Sequence, residues 1–440
     1  MNYNLFFEKA SEEGIDALEI SIVKSKKLSF GFFRNEIQSY TVSDSFKLSA
    51  RGIYQGKLGS ATSEKIDAST IGFLISAIKE NATLITSEDK PFIFAGSKKY
   101  SRKNVYSKKL DAMASSDKIA LIKKLDAAVK AKDERVVEVE TQYQEESEEY
   151  ILMNSFGLRL KSKTNYAVVY SSAVANDENG ETKNGYELKI LSDLEDLDID
   201  EFASKAVKKT LDQFNSGPCA SGAYPCVFNP ETTADLLSFF IHSLSSKEVQ
   251  RNTSLLKGKL HQQVCSKKLT ISELPLTKNV FCRYFDDEGV ATYNKTLIKK
   301  GVLETYLYNL STADKDGVET TGNGYRSRGS MGIRAVNVAI KPGNKSEEAL
   351  ISNVKEGVYI NSLGGLHAGM NANSGNFSLI AQGFMIRNGK LAEPLSLITV
   401  AGNLFDLFMN VTDVADNAEL QTNSYSVPSV LVKSIQVSGK

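Results

Sequence analysis

Histidine is nearly missing from this chain: His242, His261 and His367 are the only three among 440 residues. Any histidine-based metal site is therefore confined to very few arrangements. Cysteine is scarce as well, and Cys219, Cys226, Cys265 and Cys282 show no C-x-x-C spacing, which excludes a zinc ribbon or dithiol redox motif and leaves reduced thiols as the expectation. Net charge is absent, with Lys+Arg and Asp+Glu both totalling 53 and mixed along the sequence. A chain that drew its affinity from neutralising phosphates would carry a basic excess, so direct nucleic-acid binding is not expected. No window of about 18 apolar residues occurs, so neither a membrane-crossing helix nor a membrane partner is expected. The first residues, Met1-Asn2-Tyr3-Asn4-Leu5-Phe6-Phe7-Glu8, lack a basic segment followed by an apolar one, so export is not expected and the reading is cytoplasmic.

At this length one hydrophobic core is rarely enough, and two domains are the starting expectation. Residues 3–13 read as a helix, and residues 17–62 as strands broken by turn signals at Arg34-Asn35 and Ser43-Asp44. Ile71, Leu74, Ile75 and Ile78 recur at helical spacing, a polar connector with Pro91 follows over 83–116, and Leu121, Ile122, Leu125 and Val129 mark a second helix. Strands over 135–170 come next, so helix-then-sheet occurs twice and residues 1–190 suggest a divergent internal duplication. The acidic run 145–149 reads as a solvated hairpin turn. A third helix over 200–211 leads to Asn215-Ser216-Gly217-Pro218, the candidate boundary. Beyond it, short β-rich runs and the pairs Gly322-Asn323-Gly324, Gly364-Gly365 and Gly402-Asn403 point to tight turns that need positive φ. The expected class is α+β: an N-terminal α+β domain over 1–217 and a β-rich, barrel-like or sandwich domain over 218–440.

Three constellations could carry chemistry. His261 and Cys265 stand four apart, a spacing that would share one face of a helix, but no third ligand is near in sequence. Asp286, Asp287 and Glu288 before Gly289 read either as a turn, as a cation or acid–base cluster, or as a substrate or interface contact. Gly322-Asn323-Gly324 lacks the strand, helix and spacing of a phosphate loop.

Several segments together, in order, resemble the TldD/PmbA family, long described as modulators of DNA gyrase and understood as metallopeptidase subunits. They are Asp286-Asp287-Glu288-Gly289, 297–307, Gly322-Asn323-Gly324-Tyr325-Arg326, 374–378, Ala381-Gln382-Gly383-Phe384, 386–390 and 398–404, with Arg51-Gly52-Ile53 and Asn154-Ser155-Phe156-Gly157 upstream. The catalytic branch of that family carries His-Glu-x-x-x-His on a helix. Two imidazoles hold zinc and the carboxylate takes the water's proton. Aligned on Arg251-Asn252-Thr253-Ser254, the window here is Leu237-Ser238-Phe239-Phe240-Ile241-His242, in which only His242 keeps a matching type. The tail 426–431 resembles the branch without the motif, called PmbA or TldE.

The resemblance thus implies a subunit with no cofactor and no metal of its own, His242 being a relic of the zinc motif, with zinc expected in a TldD-like, zinc-bearing homologue as partner. The substrate would be a peptide or unfolded segment, and the chain would self-pair into a homodimer when alone. Gly375, Asn376, Phe377 and Ser378 are candidates to present a strand edge to an extended peptide or to an interface. The apolar run over 404–409 could supply dimer contact area. Asp287 and Glu288 remain the candidates for catalysis under the alternative of a stand-alone hydrolase using 286–288. A further alternative is a gyrase-associated protein adaptor.

Overall fold

The computed structural model describes residues 3–34, 36–67, 69–86, 90–327 and 330–440. Asn35, half of the first turn signal, lies outside them.

The N-terminal sheet has six strands: β1 (Ile15–Phe33), β2 (Glu36–Tyr54), β3 (Lys57–Ser63), β4 (Val136–Asn154), β5 (Arg159–Asn176) and β6 (Thr182–Leu191). Their order is β3-β2-β1-β4-β5-β6, and every neighbouring pair is antiparallel. The order is symmetric about the β1–β4 pair. Each half is a helix, three strands and a second helix, the first framed by Tyr3–Glu12 and Thr70–Thr83, the second by Ser115–Ala131 and Ile199–Leu211. The expected duplication is visible in this topology.

The helices lie on one sheet face because the strands alternate. In β1, Leu18, Ile20 and Ile22 are buried with Leu74, Ile75 and Ile78 of the first half's second helix, while Phe30 and Phe32 pack with Ile122, Leu125 and Val129 of the second half. In each half the outer strand carries a glycine under its second helix. A Cβ on Gly59 would sit 1.9 Å from the Ile78 carbonyl oxygen, and one on Gly185 would sit 2.7 Å from the Thr210 nitrogen.

Two local readings are corrected. Ser43-Asp44 is no turn: both residues lie inside the 19-residue strand β2. The run 145–149 is not a solvated hairpin but the middle of β4, paired with β1 and β5 on either side. Its carboxylates have partners from other elements. Glu145 meets Lys118 at 2.6 Å, Glu146 accepts from Ser25 and Tyr166 at 3.0 Å each, and Glu149 meets Lys161 at 2.7 Å.

The C-terminal region is built on a closed barrel. Strands Lys390–Asn403, Asn376–Arg387, Glu356–Gly364, Gly222–Phe228 and Val430–Ser438 are neighbours in that order, and the first and last also pair through 399–401 and 436–438. Val411–Val414 adds to the outer side of Val430–Ser438. A second six-stranded sheet includes Ile271–Glu273, Lys295–Lys299, Val338–Ile340 and Tyr425–Val427. Helix Pro230–His242 has proline in its first turn, and Asn229 caps it by accepting from the Thr232 N–H at 2.9 Å. Its Phe240 ring packs on Phe405 and Phe408 at 5.3 and 5.0 Å. Leu404, Leu407 and Phe408 are all buried, so this apolar run is used by the core. Among the turn glycines, Gly322 and Gly365 do take positive φ, but Gly402 lies within a strand and Asn403 caps the next helix.

The glycine under the helix generates a paired expectation. Gly59→Ala must displace a helix backbone and should lower the unfolding free energy by about 1–3 kcal/mol. Gly72→Ala, inside Thr70–Thr83 with nothing within 4 Å of its Cβ, should raise it by up to about 1 kcal/mol. Denaturant unfolding of the two variants reads opposite signs; equal effects would contradict the close approach.

Candidate functional site

The family-type metal window sits on helix Pro230–His242, and its side chains do not converge. Leu237 is fully buried in the barrel core, whereas His242 is exposed at the last helical residue. The Ser238 hydroxyl donates to the Asp235 carbonyl oxygen of its own helix at 2.7 Å. An aliphatic side chain cannot ligate, and that hydroxyl is turned back onto the backbone. These residues do not fit a zinc ion of the family type. His261 and Cys265 fail for another reason: they lie on no helix, His261 at φ 61° on the surface and Cys265 buried, so the shared face does not exist. Among the described residues no group of three or more His, Cys, Asp or Glu has metal-holding geometry.

Gly375, Asn376, Phe377 and Ser378 open the strand Asn376–Arg387, which lies inside the barrel sheet rather than at an edge. Residues 376–378 pair with 401–403, and Met370 bridges Phe377 on the other side. Phe377 is buried, and a Cβ on Gly375 would collide with the Phe405 ring at 2.8 Å. Among the described residues, this stretch is paired on both sides.

The 286–288 cluster does occupy a distinctive place, the junction between the barrel domain and the polar face of the N-terminal sheet. Gly289 takes φ +85°, so the turn reading holds. Each carboxylate has its own task. Asp286 Oδ1 accepts from the N–H groups of Glu288 and Val290, both at 2.9 Å, and its Oδ2 accepts from Gly324 at 2.7 Å. Asp287 pairs with Arg283 and accepts the Arg326 N–H at 2.7 Å. Glu288 Oε2 accepts from the Leu310 N–H at 2.8 Å. Gly324 has to be glycine here: a Cβ would lie 2.8 Å from Glu288 Oε2 and 3.0 Å from Asp286 Oδ2.

Sequence reasoning missed the group that locks this cluster in place. Glu19 of β1 is fully buried, and its carboxylate accepts from Arg51 Nε at 2.7 Å and from Arg326 Nη2 at 2.5 Å. Arg326 Nη1 also donates to the Ser21 hydroxyl at 2.9 Å. The available signal was one carboxylate interrupting the apolar stretch Ala17-Leu18-Glu19-Ile20. Beside it, Tyr150 stacks on Phe285 with ring centroids 5.7 Å apart, and Tyr284 donates to the Lys161 carbonyl oxygen at 2.6 Å.

Glu288 and Arg51 also line a cleft of about 640 Å³ between the two domains. Lys57, Lys90, Lys247, Arg251 and Lys315 complete its basic lining, with Asp316 and Glu288 as the acids among the described residues. Burial, with the Asp286 charge next, pushes the Glu288 carboxyl up to about 7, and burial also pushes Asp286 up against its main-chain donors. The cleft thus combines cationic side chains with one carboxyl that burial makes harder to ionise. A second cleft, about 1030 Å³, lies between helices Ile199–Leu211 and Pro230–His242. There burial raises Asp235 to about 6, with the Glu231 charge adding to it.

The raised Glu288 fixes a sign for stability. A carboxyl whose folded value lies above its ordinary 4.5 stabilises the fold when protonated, and that contribution is lost as pH rises toward about 7. Glu288→Gln keeps an acceptor for Leu310 and cannot ionise. Its unfolding free energy should match the parent's near pH 4.5 and exceed it at pH 8, by on the order of 1 kcal/mol or more. A difference that does not change with pH would contradict the burial argument.

Residues 221–439 match the C-terminal domain of the PmbA/TldA metallopeptidases, 108–214 the central domain and 18–82 domain 1. The crystal structure of a Thermotoga maritima protein described as a candidate modulator of a DNA gyrase superposes with a TM-score of 0.92 at 31% identity, covering 99% of each chain. Metalloprotease PmbA of Escherichia coli O157:H7 is 26% identical over 97% of this chain and 93% of its own length. A metalloprotease PmbA homolog of Buchnera aphidicola is 29% identical over 65% of this chain, an alignment that spans 62% of the relative.

Proposed function

Because the chain belongs to the PmbA/TldD metallopeptidase family, we propose that it is the non-catalytic subunit of a peptidase whose zinc is held by a TldD-like homologue. The observation that carries the reading is the metal window. Leu237 points into the core, Ser238 bonds its own helix, and His242 stands alone at the surface. A metallopeptidase needs converging ligands and a base for the bound water, and these positions provide neither. What the chain contributes is then binding and shape.

The substrate class proposed is peptides or unfolded segments. The interdomain cleft supports it, because cationic side chains such as Lys247 and Arg251 on the walls of this space of about 640 Å³ suit the carboxylate groups of a peptide, including its terminus. The 286–288 cluster is better explained as the joint between domains than as a hydrolytic centre. Asp286 and Asp287 are fully engaged by main-chain N–H groups and arginines, which leaves Glu288 alone to face the cleft.

Purification of the chain alone and with a His-Glu-x-x-x-His homologue, followed by zinc analysis and peptide digestion, tests this reading. The chain alone should hold well under one zinc per molecule and cleave nothing. The pair should hold zinc and show cleavage that a chelator abolishes. One tightly held zinc in the isolated chain, lost on His242→Ala, would overturn the proposal, as would chelator-resistant peptidase activity of the chain alone.

A further inference from the structure

Each half of the duplicated sheet meets the barrel domain across its own cleft, and the two clefts differ in charge. The first half contributes Arg51, Lys57 and Leu58 to the cleft of about 640 Å³, with Lys247 and Arg251 on the barrel side. The second half contributes β6 and helix Ile199–Leu211 to the cleft of about 1030 Å³, and helix Pro230–His242 stands across from them. Among the described residues of this second lining, carboxylates outnumber lysines and arginine is absent. Three of its lysines are already paired within the chain: Lys205 with Glu201, Lys208 with Asp212 and Lys209 with Glu187. These pairs neutralise one another, and an excess of negative charge remains.

That excess centres on Asp235. Glu231 and Asp235 stand four apart on one helix face and both line the cleft, an arrangement of like charges that is unfavourable without a cation beside it. Glu231 has Lys209 at 3.4 Å, whereas the Asp235 carboxylate has neither an ion-pair nor a hydrogen-bond partner among the described residues. Asp235 is half-buried, and the burial and Glu231 charge that raise its carboxyl to about 6 are offset by no cation of the chain. Near both carboxylates the Tyr186 ring is 46% exposed and offers a π face, while Phe384 and Leu391 supply apolar wall. A divalent metal ion is the wrong occupant, because it needs several converging oxygens and no such group of three acids exists among the described residues. An ammonium group has three N–H donors, which one carboxylate and neighbouring amide oxygens can satisfy, and Asn361 and Gln421 belong to the same lining. The volume, at the upper end for small-molecule sites, also admits the chain that carries the ammonium.

We propose that this cleft binds an alkylammonium group carried on a flexible chain, seated on Asp235 against the Tyr186 ring. Two sources share that chemistry, a lysine side chain in an extended peptide and a free linear polyamine. The proposal is independent of the subunit reading above, since it concerns the chain by itself. Isothermal titration of the whole chain with spermidine and, separately, with a short blocked peptide carrying a central lysine tests it. Binding of either supports the proposal, and the tighter of the two identifies the source; the same peptide with norleucine in place of lysine should not bind. Asp235→Asn should weaken binding about tenfold without lowering the unfolding midpoint, since it removes an unpaired charge. Tyr186→Leu, at an exposed ring, should weaken it about threefold. Asp200→Asn removes the same charge from the first turn of the neighbouring helix, where Asp200 pairs with Lys132 and does not line the cleft, and should leave binding unchanged. No binding of spermidine or the lysine peptide at up to about 10 mM overturns the proposal. So does binding that Asp235→Asn leaves intact, or that Asp200→Asn weakens equally, which would mean general attraction to a negative surface.

Discussion

The arrangement of the two domains depends on one buried carboxylate. Glu19 has no contact with water, and an ion in that position is tolerated only when opposite charge and hydrogen-bond donors surround it. Arg51 supplies one partner from the neighbouring strand, and Arg326 supplies the other from the barrel domain. Arg326 therefore cannot move far from the sheet. Its main-chain N–H holds Asp287, Asp287 holds Arg283, and the turn at Gly289 places Glu288 on the cleft wall. An apolar replacement could match such a network in stability, so its contribution lies in location: it defines where one domain sits on the other.

Duplication explains much of the rest. Two helix–strand–helix halves share a sheet, each closed by a helix lying directly on a glycine of its outer strand. The polar face opposite those helices then becomes available, and the barrel domain covers the end of it that bears Glu19, Tyr150 and Leu160. Symmetry in the topology is broken by what packs on it. Both halves contribute to the domain joint, but the outer edge of one half is covered by Tyr284 and Ser107 while the matching edge of the other, residues 36–47, is exposed.

The fold class and most helices were legible because they follow from local periodicity: Ile71, Leu74, Ile75 and Ile78 form one buried stripe whatever lies beyond them. The strands misled where their meaning was not local. Ser43-Asp44 carries turn chemistry, yet in a strand exposed on both faces polar residues cost nothing. The acidic run of β4 reads as solvent-facing until Lys118, Lys161, Ser25 and Tyr166 arrive from other elements. In the candidate site, the turn at Gly289 was readable, whereas Glu19 and the cleft were not. Their partners are separated by up to 307 residues, and no window of sequence contains both.

The closed barrel sets the order in which the molecule can be completed during synthesis. Strand Gly222–Phe228 is made first, but its neighbours are Glu356–Gly364 and Val430–Ser438. Its backbone groups must wait for segments more than a hundred residues downstream, and closure of long-range pairings is the slow part of folding. The six-stranded N-terminal sheet needs nothing beyond residue 191 for its own pairings and can form while the barrel is still being translated. Glu19 then spends that interval without Arg326, paired with Arg51 alone.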